Sequence, residues 1–299
     1  MSPPHIDPAS FQHKFVMTNG LRYHYVEEGD PKASPLLLVH GFPDLWYGWR
    51  HQIKFLANLG YRVIVVDCVG YGQTDAPMEL HKYGFKAVCS DLAGILDALN
   101  IPKVTLIGHD WGGAVVWRFG LYYPNRLHGI ISICTPYNPP TTQYIPLEEI
   151  VKLVPEFEYQ LDFANPATVA RMNSKAASFL GTIKAMADMN QADLDYMIEQ
   201  YKISGFRGPL NYYKTTKVNF DDERGLHKNI DLPCWIIVAE DDPYLRPRLA
   251  EKMKKSMPQL KSTSIKARHF VMAEKPDETN AALKQCLEDL ALRRSKASL

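Results

Sequence analysis

The chain has 299 residues, 46% of them hydrophobic and 22% charged, with 34 basic against 33 acidic side chains. That composition can bury a large core, either as one domain or as a domain with a substantial insertion. The even charge balance gives no reason to expect nucleic acid or an anionic membrane as partner, and no segment is long and apolar enough to span a bilayer.

The opening MSPPHIDPAS has two early prolines and an aspartate with no apolar stretch behind them, so no secretory signal is expected. HKFVMTNGLRYHYVEEG then alternates around Asn19-Gly20, the strongest short hairpin signal. After it come short apolar, β-branched runs: PLLLVHG, YRVIVVDC, KVTLIGHD, GIISICTP, PCWIIVAEDD and STSIKARH. The first five lack clean alternation, which predicts strands buried on both faces of a mostly parallel sheet. Between them, FKAVCSDLAGILDALN places Phe85, Val88, Cys89, Leu92, Ile95, Leu96 and Leu99 on one helical stripe, and PDETNAALKQCLEDLAL repeats the pattern near the C-terminus. Strands alternating with helices predict an α/β fold with right-handed crossovers.

The connection between Pro136 and Pro233 is far too long for a simple crossover. Within it ATVARMNSKAASFLGTIKAM and QADLDYMIEQYKIS read as amphipathic helices. A helical insertion is therefore expected over residues 138–228, between core segments 1–137 and 229–299. It falls where ligands bind in open α/β sheets, beyond the carboxyl ends of the strands, so it is read as a lid.

Five cysteines, Cys68, Cys89, Cys134, Cys234 and Cys286, are scattered in apolar surroundings without metal-ligand spacing. An odd count suits a disulfide framework poorly, so buried, reduced thiols and a cytoplasmic location are expected. The ending SKASL fits the S-K-L peroxisomal address only at its last residue, and a peroxisomal destination is not expected.

The chemistry is concentrated at the strand ends. VTLIGHDWGG satisfies G-x-nucleophile-x-G at a strand-to-helix turn, with Asp110 where hydrolases mount a serine. Taken alone, an aspartate at such a junction reads as a helix N-cap. Its partners change that. LLLVHGFPD follows an early strand, where this kind of fold supplies an oxyanion-hole amide, so the two donors are assigned to the backbone N–H groups of Phe42 and Trp111. His40 beside them is given a structural role. VAEDDPYLRP supplies an acid, Asp241 or Asp242, after the next-to-last strand, and SIKARHFVMAEKP supplies His269 after the last. Nucleophile, acid and histidine appear in the chain order of the α/β-hydrolases.

GHDWGG, HGFPD and GYGQTDAP closely resemble the corresponding motifs of soluble epoxide hydrolases of the α/β-hydrolase fold. The resemblance runs from about residue 10 to the C-terminus and includes EFEYQLDF and SGFRGPLNYY, similar to the lid segments that carry that family's catalytic tyrosines. It implies that Tyr159 and Tyr213 donate protons to an epoxide oxygen and that Asp242 orients His269. Two residues depart from the pattern: Arg268 stands where the family commonly has glycine, and Asp241 lies beside the orienting acid. The phosphatase domain fused to mammalian relatives is not expected in a chain of this length.

Asp110 is already ionised and can attack carbon directly, which a serine hydroxyl cannot do without deprotonation. The expected reaction opens a small apolar epoxide to an alkyl ester of Asp110. Water activated by His269 then hydrolyses the ester to a vicinal diol, with no metal or organic cofactor required. Trp111 and Phe163 are expected to line an apolar, aromatic tunnel. Homo-oligomerisation is left open. Two alternatives use other chemistry or none. A dehalogenase would share the aspartate, but haloalkane enzymes often carry Asn at the position of Phe42, and fluoroacetate enzymes usually carry Arg at that of Trp111. A non-catalytic ligand receptor on a hydrolase scaffold is the second.

Overall fold

A computed structural model describes residues 5–297 apart from residue 252. The readings of the opening MSPP and of the closing two residues lie outside the described residues. One sheet organises the chain. Its strands are β1 (Gln12–Thr18), β2 (Leu21–Glu28), β3 (Ser34–Val39), β4 (Tyr61–Val66), β5 (Val104–His109), β6 (Leu127–Ile133), β7 (Cys234–Ala239) and β8 (Leu260–Ile265), in the order β1-β2-β4-β3-β5-β6-β7-β8. The hairpin β1–β2 turns at Asn19-Gly20, and β2 runs antiparallel to β4. From β4 to β8 every pairing is parallel.

Every residue of β5 is buried, and β3, β4, β6 and β7 are mostly buried, because helices cover both faces. That is why their sequences run apolar without alternation. β8 is the outer strand and exposes Lys261, Ser262 and Ser264, which gives STSIKARH its more polar character. Around the sheet pack α1 (Arg50–Asn58), α2 (Phe85–Ala98) and α3 (Trp111–Tyr122). The stripe predicted on α2 faces inward: Val88, Cys89, Leu92, Ile95 and Leu96 are buried, and Phe85 and Leu99 are partly so.

Between β6 and β7 the described chain forms α4 (Leu147–Leu153), α5 (Tyr159–Ala164), α6 (Pro166–Ser174), α7 (Ala176–Met186), α8 (Gln191–Ser204), α9 (Arg207–Asn211) and α10 (Thr216–Asp222). The single helix predicted over 167–186 is two. The chain leaves helical geometry at Lys175, and the Asn173 side chain accepts a hydrogen bond from the Phe206 amide at 3.0 Å. Two C-terminal helices, the short α11 (Val271–Glu274) and the long α12 (Pro276–Ala297), close the core.

The insertion is anchored to the sheet domain by polar contacts. Arg50 Nη2 donates to Asp193 Oδ2 at 3.1 Å, Tyr47 Oη donates to Asp193 Oδ1 at 2.8 Å, and Trp46 Nε1 donates to Tyr196 Oη at 2.9 Å. Arg207 donates to the carbonyls of Ala76 and Pro77 in the loop after β4. There Gly70 and Gly208 meet backbone to backbone: a Cβ on Gly208 would lie 2.6 Å from the Gly70 Cα. Only glycine permits that approach, which accounts for a glycine in both GYGQTDAP and SGFRGPLNYY.

Candidate active site

Asp110 occupies the N-cap position of α3 without a capping side-chain bond, at φ 54° and ψ −124°, a conformation that costs a non-glycine residue on the order of 1–3 kcal/mol. The turn is held by its surroundings. A Cβ on Gly112 would lie 2.1 Å from the Val39 carbonyl oxygen, so α3 can pack this tightly against β3 only with glycine there. Thr135 Oγ1 donates to the Asp110 carbonyl at 2.7 Å, and the Ala114 amide donates to the same oxygen at 3.1 Å. The strain places the carboxylate at the end of β5, beyond the sheet, with a side chain only 12% exposed.

The Phe42 amide donates to Asp110 Oδ1 at 2.7 Å. Gly41 lies so close that a Cβ there would be 2.2 Å from Asp110 Oδ1 and 2.6 Å from the Trp111 nitrogen. The amides of Phe42 and Trp111 thus flank the carboxylate from the HGFPD turn and from the start of α3. His40 does not join them. Its Nδ1 bonds the Gly41 carbonyl at 2.9 Å and its Nε2 accepts from the Cys68 amide at 3.0 Å, so it braces the turn.

His269 follows β8 and is almost fully buried. Its Nδ1 donates to Asp242 Oδ2 at 2.8 Å, and its Nε2 lies 3.5 Å from Asp110 Oδ2. Asp242 Oδ1 accepts from the amides of Tyr244 at 2.8 Å and Leu245 at 2.9 Å, which fixes the carboxylate plane. Asp241 is exposed and bonds the Ala267 carbonyl through its amide. Of the two candidate acids, Asp242 is the one brought to the histidine.

Charge is tightly coupled here. Burial alone would raise the Asp242 carboxyl, but the His269 charge and hydrogen bond, with the Leu245 and Tyr244 amides, bring it down to about 2. Burial would likewise raise Asp110, and its hydrogen bond to His269, the charges of His269 and His109, and the Phe42 amide hold it below the usual carboxylate range. Burial would lower His269, but Asp242 and Asp110 outweigh it and raise it to about 10. The resting site is therefore an imidazolium between two carboxylates.

Tyr159 opens α5, and Tyr213 lies in the turn after α9. Their ring centroids are 6.2 Å apart. With Phe42, Phe163, Phe179, Ile183, Met186 and Tyr244 they enclose a cavity of about 150 Å³ that contains Asp110 and His269. Burial, followed by the charge of Asp110, raises Tyr159 well above its ordinary value, and burial with neighbouring Tyr159 and Asp110 does the same to Tyr213. Both phenols hold their protons. A second cavity of about 290 Å³ shares Asp110 and Tyr159 and runs past Trp111 along α3. Trp111 and Phe163 thus line different limbs that meet at the carboxylate.

Tyr244, which no motif marks, packs against Tyr159 at 5.2 Å and His269 at 5.6 Å between ring centroids. Its position two residues after Asp242 is the only trace in the sequence. Arg268 turns away from the reacting groups: Nε and its own amide donate to Glu274, and Nη2 reaches Asp188 beyond α7. His109, Cys134 and His269 bring potential metal-ligand atoms within 4.8 Å of one another. His109 Nε2 and Cys134 Sγ both contact the His269 carbonyl, and His269 Nδ1 is bonded to Asp242, so the group serves as a brace behind the histidine.

Residues 34–276 match the α/β-hydrolase fold family. The chain is 34% identical to bifunctional epoxide hydrolase 2 of Sus scrofa over 96% of its own length, and it spans 57% of that longer protein. It is 31% identical to epoxide hydrolase srdG of Neurospora crassa, covering 96% of this chain and 99% of that one. The crystal structure of epoxide hydrolase A from Mycobacterium thermoresistibile superposes with a TM-score of 0.87 at 30% identity, covering 93% and 98% of the two chains. The chain belongs to the epoxide hydrolases of the α/β-hydrolase fold.

Proposed function

We propose that this protein hydrolyses epoxides to vicinal diols through a covalent ester on Asp110. The observation that carries this is the pair of protonated phenols, Tyr159 and Tyr213, on the wall of the same small apolar cavity as a free carboxylate. An aspartate nucleophile alone suits halide departure as well as epoxide opening. Halide leaves as a stable anion and needs only hydrogen-bond donors. An epoxide oxygen leaves as a basic alkoxide and needs an acid, which a tyrosine can supply.

Asp110 Oδ2 attacks an epoxide carbon, the C–O bond breaks, and the alkoxide takes a proton from Tyr159 or Tyr213. His269, protonated at rest, returns its proton through solvent to the tyrosinate; the neutral imidazole then removes a proton from water, and the resulting hydroxide attacks the Asp110 ester carbonyl. The Phe42 and Trp111 amides bind the oxyanion of that tetrahedral intermediate. Asp242 holds the imidazole orientation. Collapse breaks the ester C–O bond, the departing alkoxide takes the proton of the new Asp110 carboxyl group, and the diol leaves with the carboxylate restored. The substrate is a small apolar epoxide and the second reactant is water. Among the described residues no helix is long and apolar enough to cross a membrane. The five cysteines are buried and unpaired, which supports a reducing, cytoplasmic setting.

The test is a single turnover of a simple aryl epoxide in ¹⁸O-water with enzyme in excess. The expected result is diol carrying no label, with ¹⁸O recovered in the peptide containing Asp110. Label in the first-turnover diol would mean direct attack by water and would refute the ester. Halide release from alkyl halides without any diol formation would transfer the case to a dehalogenase.

A further inference from the structure

The two limbs that meet at Asp110 end differently. Apart from the reacting groups, the smaller is walled by Phe42, Phe163, Phe179, Ile183 and Met186 and offers little to a polar substituent. The larger follows α3, whose residues Trp111, Ala114 and Arg118 recur at helical spacing along its wall. Eight residues separate Asp110 from Arg118, a rise of about 12 Å along the helix axis. At that far end the wall becomes charged.

Arg118 Nε donates to Glu223 Oε1 at 2.6 Å, and Arg118 Nη1 donates to the Asn138 carbonyl at 2.8 Å. The side chains are 11% and 7% exposed, so the pair is largely shielded from bulk water. The guanidinium also lies 5.3 Å from the Phe85 ring centroid. Glu223 follows α10, so the pair closes the insertion onto the core. These bonds use Nε, Nη1 and Oε1. Arg118 Nη2 and Glu223 Oε2 take no part in these bonds, and both residues line the cavity. Two nearby polar residues are already committed to protein: Thr215 Oγ1 donates to the Tyr212 carbonyl, and Asn219 is bonded to Phe85 and Thr215.

We propose that Arg118 and Glu223 form a specificity-determining end wall, selecting epoxides whose long arm ends in an uncharged hydrogen-bonding group such as a primary hydroxyl or carboxamide. This rests on the epoxide hydrolase function proposed above. A hydroxyl both donates and accepts, so it satisfies the two free positions without bringing in charge. A carboxylate would pair with Arg118 but lie against Glu223, and an ammonium group would meet the reverse. Either ion gives up its hydration for a wall of no net charge, and burying an incompletely paired ion is costly. A methyl end offers the donor and acceptor no partner. The shorter substituent of the epoxide occupies the apolar limb.

The experiment uses 1,2-epoxides with an alkyl arm long enough to cover that ~12 Å and ending in methyl, hydroxymethyl, carboxylate or trimethylammonium. Each kcat/KM is divided by that for a short aryl epoxide on the same protein. In the wild type the hydroxyl arm should exceed both ionic arms at least tenfold. In Glu223→Gln, which leaves Arg118 charged, the carboxylate should gain at least tenfold on the hydroxyl. In Arg118→Gln the ammonium arm should gain instead. Wild-type ratios within twofold of one another overturn the end wall, whatever the variants do. Calorimetric binding of the matching diols to the wild type supplies the separation from catalysis. End-group preference in binding without turnover of any epoxide sinks the catalytic proposal and retains the wall. Turnover of the aryl epoxide with no end-group preference sinks the wall alone.

Discussion

Converting Asp110 into a neutral ester should release the proton that His269 holds, and Asp110→Asn imitates that change. The His269 Nε2 atom lies 3.5 Å from Asp110 Oδ2. At the effective dielectric of about 20 that suits such sites, one charge pair at this separation is worth roughly 5 kcal/mol. That is between about three and four powers of ten in proton affinity. With Asp110 charged, His269 is raised to about 10. In the Asp110→Asn protein it should titrate near roughly 6 to 7, Asp242 still supporting it from the other side. The assay is NMR titration of ¹⁵N-labelled imidazole in both proteins, with intact mass showing that the amide persists. Stability provides a second readout. A histidine raised on folding stabilises the native state fully below its unfolded value of about 6.5, and that contribution is lost as pH rises through its folded value. The wild type should therefore lose melting temperature between about pH 7 and 10, while Asp110→Asn stays flat there. A His269 titration that moves by less than about tenfold in proton affinity would show that the Asp110 charge does not hold the proton.

Further outcomes follow from the same geometry. His269→Gln should still alkylate Asp110 and then stall, leaving an adduct visible by intact-mass spectrometry; a folded, substrate-binding variant with no adduct would refute the two-step reaction. Each single change Tyr159→Phe or Tyr213→Phe should slow pre-steady-state alkylation by about ten- to a thousandfold, and the double change should nearly abolish it, whereas a dehalogenase would be indifferent. Asp242→Asn should cost on the order of 10⁴ in turnover, as for other triads left with the wrong tautomer, while Asp241→Asn should be mild; the reverse ranking would move the orienting role by one residue. Gly41→Ala would press a Cβ onto the Asp110 carboxylate and should slow alkylation on the order of a hundredfold with circular dichroism unchanged.

The parallel strands are legible because burial on both faces leaves their sequences no polar alternation, and β8 looks different because one of its flanks is solvent. Helix α1 is harder to see: two of its four buried residues are Arg50 and Gln52, so its inward stripe is half polar. The break between α6 and α7 falls at Lys175, close to where Asn173 accepts from the distant Phe206 amide, a contact no local pattern records. At the site, the elbow and its partners can be found because each stands at a strand end, and the structure gathers Asp110, His269 and Asp242 there. Local pattern does not separate the adjacent Asp241 and Asp242; the family resemblance points to Asp242, and that is the carboxylate His269 meets. Arg268 is similar. Its sequence position beside His269 suggests an electrostatic role, yet Glu274 and Asp188 draw it off. The Arg118–Glu223 ion pair joins residues from α3 and from just after α10, a pairing visible only in three dimensions.

The resting site carries a proton that nucleophilic attack does not use, because Asp110 must be ionised and His269 is not yet needed as a base. The proposed reaction finds a use for it. Ring opening consumes the Asp110 charge and creates an alkoxide, which takes its proton from Tyr159 or Tyr213. The resulting tyrosinate is the strongest base left in the cavity, where burial already disfavours its charge. At the same moment the ester no longer stabilises the imidazolium. The histidine's proton and the tyrosinate's vacancy therefore cancel through solvent, with no net uptake or release. Neutral His269 then faces the ester, held in the correct tautomer by Asp242, and can take a proton from water. After hydrolysis Asp110 is again ionised and the proton taken from water remains on His269. The charge that makes Asp110 nucleophilic thus joins that of Asp242 in holding the proton on His269 until the ester exists. Two carboxylates around one imidazole order the half-reactions through charge.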